Sequence, residues 1–187
     1  MPHDVTTSLE TGHNDTQRFI VGSRTVRICP DESPESPREW SNLGTMLCWH
    51  RRYNLGDKHA FADPRTFQHW LKNNPAIVLP LYLYDHGGIT MNTTGFHCPW
   101  DSGQVGYIYV TLADVRKEYA KRCVSQNLRR QVEEYLRQEV ATYDEFLTGN
   151  VYGFIIEDEG GKTLDSCWGF IGLDACVEEA SIAARQH

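Results

Sequence analysis

The chain has 187 residues, with 40% apolar and 23% charged residues and a formal charge of −7 from 18 basic and 25 acidic side chains. This is the balance of a soluble globular protein of one domain, and it excludes collagen, coiled-coil rods and wholesale disorder. It also argues against a surface coated in positive charge, though not against a local basic groove.

Residues 1–17 are polar and acidic without periodicity, which predicts a flexible N-terminal arm and lacks the basic-then-apolar pattern of a secretory signal. Arg18 to Cys29 reads as two short strands about Gly22-Ser23, because Thr25 and Arg27 alternate with Val26 and Ile28. Pro30, Pro34 and Pro37 then break regular structure within an acidic loop. Trp40, Leu43, Met46 and Leu47 have the spacing of one face of a short helix. Asp63-Pro64 supplies a capping side chain and a proline for the first helical position, so a helix is expected to about Asn73, with Phe67, Trp70 and Leu71 inward.

Ile77 to Tyr84 reads as a core strand with Pro80 at an edge or bulge. A glycine-rich loop of about 20 residues is expected from Asp85 to Gln104. Val105 to Thr111 is the next strand, and Thr111 caps a helix carrying Leu112, Val115 and Tyr119 on one face. The longest periodic run covers residues 125–148: Leu128, Val132, Tyr135, Leu136, Val140, Tyr143 and Leu147 recur at steps of three and four, and Gly149-Asn150 stops it. Val151 to Glu157 and Thr163 to Phe170 form a hairpin about Asp158 to Lys162. The tail, 174–187, has helical residues but no firm stop. The sum is an α+β fold: a single domain over 18–173, with a mainly antiparallel sheet, one long amphipathic helix and at least two shorter helices.

Five constellations carry chemistry. Asp85-His86 and His97 to Asp101 lie in the glycine-rich loop; His86 acts as a general base only where a carboxylate or carbonyl fixes its tautomer. The plain alternative is a loop packed by its own side chains. Cys48, His50, His97 and Cys98 offer zinc-type donors, but the spacing within each pair is too tight for a zinc knuckle, so no metal and no cofactor is expected. Cys98 and Cys167 are nucleophiles only beside a base; scattered cysteines with no C-x-x-C pair are ordinarily buried hydrophobes in a reducing compartment. Trp49 to Tyr53 mixes aromatics with Arg51 and Arg52, and Arg116, Lys117, Lys121, Arg122, Arg129 and Arg130 form a basic run, the residue types that contact phosphate and stack on bases; a solvated helix face is the common outcome. Finally, residues 133–187 hold twelve acids and three basic residues, a net −9, against +2 for residues 1–132. Glu133, Glu134, Glu139, Asp144 and Glu145 are expected on exposed faces of the long helix, and Glu157, Asp158 and Glu159 crowd the hairpin. Such carboxylates imitate duplex phosphates, or else serve solubility. The sequence holds no GxxxxGK[ST], GxGxxG, HExxH, GxSxG or EF-hand pattern.

Pro37 to Asp57, Pro99 to Tyr107 and Asp165 to Phe170 together resemble a family of small uncharacterised proteins of bacteriophages and mobile elements, over roughly residues 35–173. The resemblance transfers no catalytic residue. It implies a phage-type accessory role, for which an anti-CRISPR-like inhibitor that binds a nucleic-acid-handling host defence nuclease stoichiometrically is one model; the polar N-terminus and the lack of any apolar run near the roughly 20 residues of a membrane span separately predict a cytosolic protein away from membranes. Glu133, Glu134, Asp144, Glu145, Glu157, Asp158 and Glu159 are the expected contacts. The competing expectation is an enzyme acting on a nucleotide or nucleic acid, with Asp85, His86, His97 and Asp101 doing the chemistry and Arg51, Arg52, Arg129 and Arg130 available for phosphate.

Overall fold

The structure, a computed structural model, describes residues 17–187. The flexible-arm expectation therefore falls almost wholly outside the described residues. The fold is α+β, with four α-helices and two four-stranded antiparallel sheets among the described residues. The chain divides into two compact units: a terminal unit formed by residues up to Glu35 with Gly149–His187, and a central unit over Ser36–Thr148.

In the terminal unit, β1 (Gln17–Val21) and β2 (Arg24–Pro30) form a hairpin, while β7 (Val151–Glu157) and β8 (Thr163–Ile171) form another; the sheet order is β1-β2-β7-β8. Val26 and Ile28 of β2 lie opposite Ile156 and Phe154 of β7, so period-two alternation on both strands builds one apolar face. The C-terminal residues are no frayed tail: α4 (Leu173–Ala184) packs Cys176, Ala180 and Ala184 into that face, and these small side chains let the helix lie close to the sheet.

The central unit holds β3 (Thr45–Cys48), β4 (Ala76–Asp85), β5 (Ile89–Asn92) and β6 (Ser102–Thr111) in the order β3-β6-β4-β5. Its helices are α1 (Pro64–Leu71), α2 (Leu112–Glu118) and α3 (Gln126–Leu147); Asp63 and Thr111 cap the first two as the sequence predicts, and Ser125 caps the third. One face of the sheet buries Met46, Ile77, Leu79, Leu81, Ile108 and Val110 against Leu128, Val132, Leu136, Val140 and Tyr143 of α3. Each fully buried aliphatic side chain contributes about 1.5–3 kcal/mol, so this stripe is the main stabilising element of the unit. Tyr107 and Tyr109 of β6 point the other way, into an aromatic cluster with Phe61, Phe67 and Trp70. That two-sided cover explains why Met46 and Leu47 are both fully buried although they are neighbours on β3.

Several expectations are corrected. Trp40 to Leu47 is not a short helix; Met46 and Leu47 enter β3, Trp40 and Leu43 precede it in irregular chain, and a 3-10 turn covers Pro37–Glu39. The expected loop from Asp85 to Gln104 contains β5, whose Ile89 and Met91 lie opposite Asp85 and Leu83, and β6 starts already at Ser102. Tyr135 leaves the buried stripe of α3 and is 43% exposed. Glu139, expected on an exposed face, is the one buried charged residue among those described. Pro80 sits where β4 has β6 alone as a partner, next to a bulge at Leu81/Tyr82, so its missing N–H leaves no ladder bond open.

Candidate active site

The ends of β4 and β6 bring together residues that are far apart in sequence. The backbone N–H of Asp85 donates to the carbonyl of Asp101 at 2.8 Å, and that of His86 donates to the Gly88 carbonyl at 3.0 Å. These bonds close the β4–β5 turn and hold the start of β6 beside it. The His86 side chain then places Nδ1 3.2 Å from Oδ2 of Asp101. A carboxylate at Nδ1 fixes the proton there and leaves the Nε2 lone pair free, on a side chain that is 70% exposed. This is the condition under which His86 serves as a general base. The Cys98 thiol also points to Oδ2 of Asp101, at 3.7 Å, so the carboxylate orients two groups.

Asp85 takes a different role from its neighbour. Its carboxylate pairs with the Arg52 guanidinium and accepts a 3.2 Å hydrogen bond from the Tyr53 hydroxyl. The 50–53 turn is organised by His50, whose Nδ1 accepts the backbone N–H of Tyr53 at 3.2 Å and whose ring stacks on the Tyr53 ring with centroids 5.0 Å apart. His50, Arg52, Asp85, Trp100 and Asp101 line a shallow cavity of about 360 Å³. Trp100 on its rim is 91% exposed, an indole with both faces open to solvent.

The expected catalytic set is thus brought together in three of its four members. His97 lies apart from them, lining an open groove with Tyr82, Phe96 and Pro99. The four zinc-type residues also separate. Cys48 packs beside Gly56 in the core, where burial first and the Asp57 charge second push its thiol up to about 12. Among the described residues no group of three His, Cys, Asp or Glu side chains is arranged to hold a metal ion. Trp49 does not offer a stacking face at this rim: it donates from Nε1 to the Phe61 carbonyl and packs on His59 and Tyr107. Arg51 beside Arg52 is exposed, and Arg129 and Arg130 lie on α3, half-buried and exposed respectively.

The acidic set divides between the units and between roles. On α3 of the central unit, Glu134 is exposed and Glu133 and Glu145 are half-buried, while Asp144 is turned to internal use. One oxygen of Asp144 accepts from the Met91 backbone N–H at 2.6 Å and from the Thr90 hydroxyl at 2.8 Å, fastening β5 to the helix. In the terminal unit Glu157 pairs with Arg27 at 2.9 Å, and Asp158 accepts the backbone N–H groups of Gly160 and Lys162 to shape the β7–β8 turn. Glu159 alone of these three is exposed.

A second charged cluster of the central unit, unmarked by any motif in the sequence, lies inside the fold. Arg38 donates to both oxygens of Asp57 at 2.9 and 2.7 Å, to Oε2 of Glu139 at 3.0 Å and to the Gly44 carbonyl at 2.7 Å. The remaining acceptors are also filled: Glu139 Oε1 by the backbone N–H groups of Leu43 and Gly44, and Asp57 Oδ2 by that of Met46. Burial alone would lower the Arg38 pKa, but the bonds and charges of Asp57 and Glu139 outweigh it and hold it above its ordinary value. Gly56 turns with φ +71 to present Asp57, in a position where a Cβ would stand 2.8 Å from the Met46 carbonyl oxygen. The only signal in the sequence was the density of Gly, Asn and paired charges between Pro37 and Asp57.

The chain matches no family of known proteins, no characterised protein and no solved structure.

Proposed function

We propose that the central unit processes a nucleotide or nucleic acid at the rim formed by Arg52, Asp85, His86, Trp100 and Asp101. The carrying observation is the His86–Asp101 pair at 3.2 Å, which supplies an oriented imidazole with a free Nε2. In this reading His86 Nε2 removes the proton from an attacking water or hydroxyl as it adds to phosphorus, the opposite P–O bond breaks, and the leaving oxygen departs as an alcohol or phosphate protonated by solvent. Asp101 stabilises the imidazolium that forms. Arg52, released from Asp85 by a competing phosphate, balances the charge building on the phosphoryl oxygens. Trp100 offers a ring on which a base stacks. The test is product formation from labelled single-stranded DNA, RNA and nucleoside triphosphates, with many products per protein molecule. His86→Ala is expected to lower the rate about 10²–10⁴-fold. An undiminished rate in that variant, or no turnover on any of these substrates, overturns the reading.

A second reading is a phage-type accessory protein that inhibits a host defence nuclease by stoichiometric binding. It draws support from the resemblance and from the charge of the terminal unit, whose described residues hold ten acids and five bases, a net −5, with Asp174, Glu178 and Glu179 exposed on α4. The central unit holds twelve acids and thirteen bases, a net +1. Its test is titration of a CRISPR nuclease to a fixed ratio, with Glu133, Glu134, Glu145 and Glu159 changed together to lysine. Inhibition unchanged by that variant removes the acidic contact.

A further inference from the structure

A second surface of the central unit has the make-up of a binding site and shares no residue with the rim above. Two open cavities, of about 570 and 250 Å³, meet over Ser41, Asn42 and Tyr135 and so form one groove. Its walls are the 40–45 segment, the end of α2 with Lys117 and Tyr119, and the edge of α3 that carries Tyr135, Gln138 and Thr142. Two large aromatics stand open in it: Trp40 is 45% and Tyr135 43% exposed. Both are costly to leave in water, and Tyr135 departs from the apolar stripe of its own helix to be there.

The groove is held rigid from behind. The Arg38 cluster ties the Leu43 and Gly44 backbone to α3 through Glu139. The Asn42 amide donates to the Pro37 and Trp40 carbonyls, which fixes the turn that presents Trp40. Platforms locked before binding lose little entropy on contact. Charge then selects the ligand. Arg116, Lys117, Lys121 and Arg122 at the end of α2 are exposed, none takes part in an ion pair among the described residues, and one acid, Glu118, interrupts them. Of the other two acids lining the groove, Asp114 is engaged by the Thr111 hydroxyl, and Glu139 by Arg38 and the Leu43 and Gly44 backbone N–H groups.

We infer that this groove binds single-stranded nucleic acid, with bases stacked on Trp40 and Tyr135 and the phosphate backbone along the cations of residues 116–122. Flat aromatic platforms serve a strand whose bases are unstacked, which a duplex does not offer. Lys117 on the wall, with Arg116, Lys121 and Arg122 beside it in the chain, favours a polyanion over a neutral sugar or an apolar peptide. The inference does not rest on catalysis at His86.

The experiment is fluorescence anisotropy of a labelled oligothymidylate of about 12 nucleotides, within the span such surfaces cover, titrated with the full chain at low and at physiological salt. Saturable binding that weakens with salt is expected, with a duplex of the same length competing poorly. Trp40→Ala and Tyr135→Ala are each expected to weaken binding roughly 5- to 100-fold. Lys117→Glu with Arg122→Glu flattens the salt dependence. Lys72→Ala, at an exposed cation that lines neither surface, leaves affinity unchanged, which separates this site from diffuse charge attraction. Absence of saturable binding overturns the inference. So does full affinity in a folded Trp40→Ala/Tyr135→Ala double variant, or equal competition by polyglutamate.

Discussion

Arg38 and Arg52 are separated by fourteen positions, each pairs with aspartate, and the two do opposite things. The Arg38 side chain is 5% exposed, and Asp57, Glu139 and the Gly44 carbonyl accept its hydrogen bonds. Arg52 is 69% exposed and holds Asp85 at a solvent-washed rim. In low dielectric an ion pair without its partner is very costly, whereas at the surface water substitutes for it at little loss. The first pair therefore fixes shape and the second stays exchangeable. An arginine that a phosphate can recruit has to be of the second kind.

Removal of Arg38 is the largest break of this contrast. Arg38→Ala strands Asp57 and Glu139 inside the fold and is expected to cost about 3–5 kcal/mol, read as a fall in the urea midpoint; a loss below 1 kcal/mol would show that the cluster is not locked. Asp144→Ala is expected to follow at about 1–3 kcal/mol, because the Met91 N–H loses its acceptor. If Asp144 were instead a contact residue, stability would hold and only partner binding would fall.

Thiol chemistry sharpens the comparison at the same depth. Burial and Asp57 raise Cys48, and burial with the neighbouring Cys167 and Cys29 thiols raises Cys176, each to about 12. Both are expected to resist alkylation of the native protein at pH 8, while exposed Cys123 and Cys167 react. Because the folded state holds these two protons more tightly than the unfolded chain, their contribution to stability is complete below about pH 9 and is lost as pH rises toward 12. Rapid labelling of all six thiols at pH 8 would contradict this packing.

Two smaller effects complete the series. Ala120 ends α2 in the left-handed region at φ 49, while Lys121 N–H closes on the Arg116 carbonyl. Ala120→Gly is expected to gain up to about 1 kcal/mol in a thermal melt, since glycine adopts that conformation without a steric penalty. At the exposed end of the scale, Arg52→Ala is expected to change stability by less than about 1 kcal/mol while abolishing turnover at the rim. A large destabilisation there would place Arg52 with Arg38 as a structural residue.

The elements were legible where a local rule sufficed. Asp63-Pro64, Thr111 and Ser125 announce three helix starts, and the spacing from Leu128 to Tyr143 announces the apolar face of α3. The departures arise where partners are distant. Glu139 reads as one more surface acid of a charged helix; only Arg38, about a hundred residues earlier, makes its burial affordable. Ile89-Thr-Met-Asn is short enough to pass for loop until Asp144 supplies the bonds that keep it extended. The His86–Asp101 pair needed the β4–β6 register, which no spacing within the loop encodes. His97 stands only four residues from Asp101 yet lines a neighbouring cavity, which meets the first at Ser102 and Gly103.

The terminal unit has a consequence for how this chain is made. Its sheet joins β2 to β7, with Pro30 opposite Tyr152, so the second half of that pairing leaves the ribosome roughly 120 residues after the first. The central unit is continuous and built from nearer contacts, which favours its forming first. Until β7 arrives, β1 and β2 remain a lone hairpin with an open edge, marginal in water and prone to pair with a neighbour. Once the intervening 36–148 segment has condensed, the span to be closed is shortened to that of a folded insert, and the entropy of closure falls with it. Truncation after Thr148 should therefore yield a chain whose first two strands aggregate while the central unit folds.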